Sequence, residues 1–148
     1  MTLKVKIQKM HEDAIIPAYS QEDDAGMDLF STKDYVIMPN HRILIGTGLK
    51  IELPRGYEMQ IRPKSGLAIR NGITVLNTPG TIDAGYRGEV GVILINKSSL
   101  PYKVEKGQKI AQAVFNKIEK AKFIVSNNMS KTERGDGGFG STGLRTNF

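Results

Sequence analysis

The chain has 148 residues, with 21 Lys and Arg against 15 Asp and Glu, so it carries a formal net charge of +6. The absence of cysteine excludes disulfides, thiolate-bound metals and thiol catalysis. The two histidines, His11 and His41, are too few for a His-rich metal site. Length and a hydrophobic content of 39% fit one soluble domain with its own core. No apolar run approaches the ~20 residues of a membrane span, and MTLKVKIQKM lacks the apolar block of a signal peptide. A cytoplasmic protein without a membrane partner is expected.

Taken in chain order, the dominant hydrophobic period is two. Alternation or β-branched enrichment predicts strands over Leu3–Ile7, Arg42–Leu53, Tyr57–Ile61, Ile73–Leu76, Val90–Ile95, Tyr102–Val104, Lys109–Phe115 and Phe123–Val125. Turn formers separate them at Met38-Pro39-Asn40, Leu53-Pro54-Arg55-Gly56, Thr78-Pro79-Gly80, Ser98–Pro101 and Glu105-Lys106-Gly107. Spacings of about 8–12 residues between such signals point to a sandwich or barrel. Ser65–Arg70 is the single helical candidate, limited by Gly66 and Gly72. The fold class is all-β.

Residues 130–148 break the pattern, with five glycines and only Phe139, Leu144 and Phe148 as large apolar residues. Such a segment cannot bury enough surface to order itself alone. The chain therefore divides into a β domain, 1–129, and a flexible arm, 130–148.

Chemistry concentrates in five segments. In Arg134–Gly143, glycines permit close backbone approach to phosphate oxygens, Ser141 and Thr142 add hydroxyl donors, and Arg134 adds a planar fork. The pattern is not a Walker loop, because Ser141 stands where Lys belongs and no helix can follow. Phe139, isolated among glycines, suits a lid over a flat ring. Asn77–Glu89 reads as an irregular hairpin in which Asp83 can orient and deprotonate a water, or serve simply as a solvated turn residue. Ser65-Gly66 opens the helix, either facing an anion or acting as a plain N-cap. Asp23, Asp24 and Asp28 gather near a strand start, where one or two carboxylates commonly help hold Mg²⁺ on substrate phosphates, or where they simply form solvated acidic surface. Gln112 is polar within an apolar strand. Basic residues are scattered, with no run of five and no Trp, so nucleic acid is not an expected partner, and a small polyphosphate accounts for the charge equally well.

In this order the segments resemble the homotrimeric deoxyuridine triphosphate nucleotidohydrolases (dUTPases). Ala25–Leu29, Pro63–Ala68, Gly80–Gly88, Gly107–Gln112 and Arg134–Gly143 are similar to the family's five ordered motifs. The resemblance implies a jelly-roll or distorted-barrel subunit of a homotrimer, with sites shared between subunits and the arm as a flexible lid. It implies hydrolysis of dUTP to dUMP and pyrophosphate by water attack at the α-phosphorus, which keeps uracil out of DNA and supplies dUMP for dTMP synthesis. Carried over by residue, Asp83 activates the water, and Tyr86 packs on the deoxyribose and excludes a 2′-hydroxyl. Asn77, Gly80 and the backbone of Thr81, Ile82 and Asp83 read uracil, and Phe139 stacks on it. Lys64, Ser65, Gly66, Gln112, Arg134, Gly140, Ser141 and Thr142 hold the triphosphate, and Asp28 places Mg²⁺ through water. Two departures stand out: Lys64 where the family mostly shows Arg, and Gly85 where many members carry a second Asp. The alternative of the same fold is a dCTP deaminase, a bifunctional form included; a non-catalytic nucleotide sensor is the rival from another class.

Overall fold

The computed structural model describes residues 2–145. Eleven strands and one short helix follow one another as β1 (Lys6–Lys9), β2 (Gly26–Phe30), β3 (Tyr35–Ile37), β4 (Arg42–Gly46), β5 (Leu49–Glu52), β6 (Tyr57–Arg62), α1 (Ser65–Asn71), β7 (Ile73–Val75), β8 (Gly80–Asp83), β9 (Gly91–Asn96), β10 (Tyr102–Val104) and β11 (Lys109–Lys117). They pair antiparallel in four sheets, β2-β11-β6-β8, β4-β9-β7, β1-β5 and β3-β10. The sheets stay separate rather than closing into one barrel. Even so, one apolar core, running from Leu29 and Ile37 to Val92, Leu94 and Ile110, draws on every strand except β1. The all-β expectation holds.

Local chemistry explains where the elements differ from expectation. Arg42–Leu53 is two strands, because Gly48 at φ +69° turns the chain between β4 and β5. The first strand is Lys6–Lys9, shifted from Leu3–Ile7 by its pairing with Leu49–Glu52. Ser65 is the first helical residue and not an N-cap: Lys64 occupies that position, with no side-chain cap bond. Asn77–Glu89 is not a simple hairpin. Its flanks β7 and β9 pair with each other, but β8 between them crosses to pair with β6 in another sheet. Phe123–Val125 forms no strand and stands fully exposed. Three apolar residues with no partner strand in the protomer have no ladder to join.

Asn96, the last residue of β9, is a polar side chain inside the core. Fully buried, it donates Nδ2 to the carbonyls of Ile37 and Leu100 (2.8 and 2.7 Å) and accepts at Oδ1 from Ser98 N and Oγ (2.9 and 2.7 Å). Every polar atom of the amide is satisfied, which is the condition for burying one.

Beyond Lys117 the chain runs outside the sheets. From Glu119 to Arg145 every residue is exposed except half-buried Gly137 and Gly138. Within Thr132–Gly143 it folds only onto itself, through turn bonds Gly135 N→Thr132 O, Gly137 N→Arg134 O, Ser141 N→Gly138 O and Gly143 N→Gly140 O. The last three residues, including Phe148, lie outside the described residues.

Candidate active site

The four-stranded sheet sets the geometry. On one face, Asp28 of β2, Gln112 of β11 and Arg62 of β6 stand in one cross-strand row. Farther along, Asn116, Glu58 and Asp83 form another row on the same face. The opposite face carries Leu29, Ala113, Met59, Ile61 and Ile82 into the core. Both groups of expected site residues therefore belong to one sheet, at opposite edges.

At the β2 edge, Asp28 is clamped between two ammonium groups. Lys64 Nζ binds Oδ1, and Lys109 Nζ lies 2.8 Å from Oδ2. Lys109 reaches this face because the register of β11 shifts between Lys109 and Ala111. Such a bulge inserts one residue and re-aims the side chain before it. Burial raises the Asp28 carboxyl, but the hydrogen bonds and charges of Lys109 and Lys64 outweigh it and hold the group below its ordinary value. Gln112 donates Nε2 to the carbonyl of Pro63 at 2.9 Å, tying β11 to the turn that carries Lys64, Ser65 and Gly66. Gly26 makes this possible, since a Cβ there would overlap Gln112 Oε1. Gln112 is thus a sheet glutamine whose amide N–H also fixes the turn.

At the β8 edge lies a cleft of about 640 Å³ lined by Asn77, Gly80, Thr81, Ile82 and Tyr86, five of the expected residues. As an edge strand paired only with β6, β8 leaves backbone N–H and C=O groups free on its outer side. Ile82 itself is buried, so only its backbone is available to a ligand. A Cβ on Gly80 would sit 3.2 Å from Ile61 Cβ and 3.4 Å from Asn77 Nδ2, so glycine keeps Asn77 close against the strand. Asp83 ends β8 with an exposed side chain. The chain then turns through Tyr86 N→Asp83 O at 3.0 Å, and Arg87 Nη1 reinforces the turn by donating to Ala84 O (2.7 Å) and Tyr86 O (3.0 Å). Tyr86 folds back over the turn, and its hydroxyl donates to Glu89 O at 3.0 Å. A side chain on Gly88 would overlap the Tyr86 hydroxyl and the end of its ring. Gly85 meets open space, so nothing steric excludes a carboxylate there.

Sequence reasoning missed Lys109, Glu89, Leu44 and Ile93. Glu89 Oε1 accepts from Gly48 N at 2.8 Å and pins the Tyr86 turn to the β4–β5 connection. Leu44 and Ile93, paired across β4 and β9, line the cleft from the outer face of their sheet. Their signal was in the sequence: Ile43-Leu44-Ile45 and Val92-Ile93-Leu94-Ile95 are continuous apolar runs, the mark of strands covered on both faces.

The structure does not bring the arm to either edge. Arg134 Nε turns back to Gly137 O at 2.8 Å, and Phe139, with φ +49°, has a fully exposed ring. Gly140, Ser141 and Thr142 are exposed as well. Among the described residues no group of three or more His, Cys, Asp or Glu is placed to hold a metal. The Asp28 carboxylate is already matched by two cations. These residues do not form a resident metal cage.

The dUTPase family model matches residues 12–143. A deoxyuridine 5'-triphosphate nucleotidohydrolase of Clostridium tetani is 58% identical over 142 residues, 96% of this chain and 97% of that protein. The fold matches a mutant dUTPase of Staphylococcus bacteriophage 80alpha, solved with dUpNHpp, at a TM-score of 0.89 and 26% identity, over 97% of this chain and 100% of that one. It also matches a mutant dUTPase from phage phi11 of S. aureus, described with a structural Mg(II) ion, at a TM-score of 0.80 and 22% identity, over 86% and 99%. With the motif segments folded as a cleft and a charged sheet edge, the chain belongs to the dUTPase family.

Proposed function

We propose that the protein hydrolyses dUTP to dUMP and pyrophosphate as a homotrimer. The observation that carries this reading is the β8 cleft, where Asn77, Gly80, Thr81, Ile82 and Tyr86 converge beside an exposed Asp83 in a chain of this family. Free backbone groups of β8 suit the donor–acceptor edge of uracil, and a site built to pair such an edge rejects a base that leaves those groups unpaired. The Tyr86 hydroxyl is already engaged, which leaves its ring to act on the sugar by shape. Asp83 takes a proton from the attacking water, the water oxygen bonds to the α-phosphorus, and the bond to the β-phosphate bridge breaks to release pyrophosphate. This division follows the general logic of phosphoryl transfer, in which positioning and charge neutralisation outweigh covalent chemistry.

Sharing of the site between subunits is supported by sheet geometry. Asp28 and Asp83 are three strands and four residues apart, roughly 20 Å at ~4.8 Å per strand and ~3.4 Å per residue. A phosphate attacked beside Asp83 is therefore far from the same protomer's Asp28 row, which includes Gln112. The apolar outer face of β4 and β9, with Leu44 64% exposed, supports a second copy against the cleft. In this reading the arm closes over the nucleotide, with Phe139 on uracil and Arg134, Gly140, Ser141 and Thr142 on the phosphates. A Mg²⁺ ion carried by the triphosphate would lend charge neutralisation there, since the described residues gather no group of three or more acidic or His ligands.

The test is direct. The protein is incubated separately with dUTP and dCTP in Mg²⁺ buffer, products are resolved by ion exchange, and mass is read by light scattering. dUMP and pyrophosphate from dUTP, with a mass near three chains, are expected. Deamination of dCTP is not favoured by the family match, and uracil nucleotide formed from dCTP would reverse this reading.

A further inference from the structure

The β2 edge assembles several basic side chains but leaves few of them free. Lys64 and Lys109 share the Asp28 carboxylate. Arg62 donates Nε and Nη2 to Gln60 Oε1 at 3.0 and 2.8 Å. Arg70 is different. It is exposed in the last turn of α1 and forms no ion pair or side-chain hydrogen bond among the described residues. Long helical side chains lean back over the turn N-terminal to their own Cα. Here the guanidinium lies over Gly66, where a Cβ would fall 2.6 Å from Nη2 and 3.4 Å from Cζ. The missing side chain of Gly66 is the space the guanidinium occupies, one residue from Ser65.

We propose that Arg70 is the phosphate-binding fork of this edge, engaging the β- or γ-phosphate, while Lys64 is left to hold Asp28. The inference rests on the reading of Ser65-Gly66 as the triphosphate turn. A guanidinium presents parallel N–H donors that match two phosphate oxygens, whereas an ammonium is a point charge. The Lys64 ammonium is in addition already matched by a carboxylate. Because dUMP lacks the β- and γ-phosphates, Arg70 matters for the triphosphate alone.

The test measures binding of the non-hydrolysable α,β-imido-dUTP and of dUMP by calorimetry, in one Mg²⁺ buffer, for the wild type, Arg70→Lys and Arg70→Gln. Arg70→Gln should weaken the analogue by roughly 10- to 100-fold, the loss of a hydrogen bond to a charged group. Arg70→Lys should fall between, and dUMP affinity and the thermal midpoint should hold in both variants. An Arg70→Gln protein that binds the analogue as tightly as wild type overturns the inference alone, as does an equal loss for both ligands, which would make Arg70 structural. If the wild type binds the analogue no more tightly than dUMP, the triphosphate reading of the turn fails and Arg70 falls with it.

Discussion

The β8 cleft and the arm are built in opposite ways. Around β8, each feature is fixed by the protomer's own bonds: Tyr86 by Glu89 O, the turn by Arg87, Glu89 by Gly48 N and Asn77 by the room at Gly80. The arm, by contrast, holds Arg134, Phe139, Ser141 and Thr142 in turns that touch only themselves. Preset walls suit discrimination, because their ordering entropy is lost during folding. A segment ordered only by ligand loses it on binding, at about 1–2 kcal/mol per residue for the backbone, and so closes only on a ligand that makes many contacts. On the proposed function, base and sugar selection would sit in the framework and commitment to reaction in the arm.

The strongest way to break this contrast is to delete residues 130–148. Turnover of dUTP should fall by roughly 10³-fold as the phosphate donors are lost, while the thermal midpoint and dUMP affinity stay close to wild type. A midpoint that falls with activity would place the arm in the framework. Next is Asp83→Asn, expected to cut kcat by at least ~10²-fold with dUTP binding retained; a near-normal kcat with raised KM would make Asp83 a positioning residue. Smaller in effect, and sharper about preset walls, is the Tyr86 pair. Tyr86→Phe keeps the ring and loses one hydrogen bond, so the preference for dUTP over UTP should persist, whereas Tyr86→Ala should lower it by about 10-fold, the scale set by losing shape contacts in a pocket. Equal ratios in the two variants would remove the ring from sugar selection.

The smallest effect concerns the framework's charged edge. The Asp28 carboxyl sits below its unfolded value of ~3.9. Its ionised form is therefore favoured by folding, and it contributes stability above pH ~4 that is lost as pH falls through the lowered value. Thermal midpoints measured from pH 7 downward should show Asp28→Asn less stable at neutrality and flatter below pH ~4. A variant curve parallel to wild type throughout would mean the clamp adds nothing.

Much of this was legible before any coordinates. Alternation or β-branched runs found five of the seven strands of the two larger sheets but not Gly26–Phe30 or Gly80–Asp83, and Gly72 marked the end of α1, where it sits at φ +64°. Illegible was whatever depends on pairing partners. Gly80–Asp83 carries turn formers on either side and no alternation of its own, and it becomes a strand only because β6 offers an edge. Phe123–Val125 has the composition of a strand but finds no edge within the protomer. Lys109 was invisible as an Asp28 partner because a simple alternation from Gln112 points it to the wrong face, and only the bulge reverses that. The motif residues could be named from sequence; their division between two sheet edges could not.

The exposed arm has one further consequence. Lys131 and Arg134 lie on solvent-exposed backbone outside any sheet, the kind of segment a trypsin-like protease enters first. A single nick after Lys131 would sever the glycine-rich segment and leave the eleven strands untouched. The clipped product would still fold, remain in solution and retain its β8 cleft. Circular dichroism or a melting curve would not distinguish it from intact enzyme, and on the proposed function the loss would show only in intact mass and in turnover.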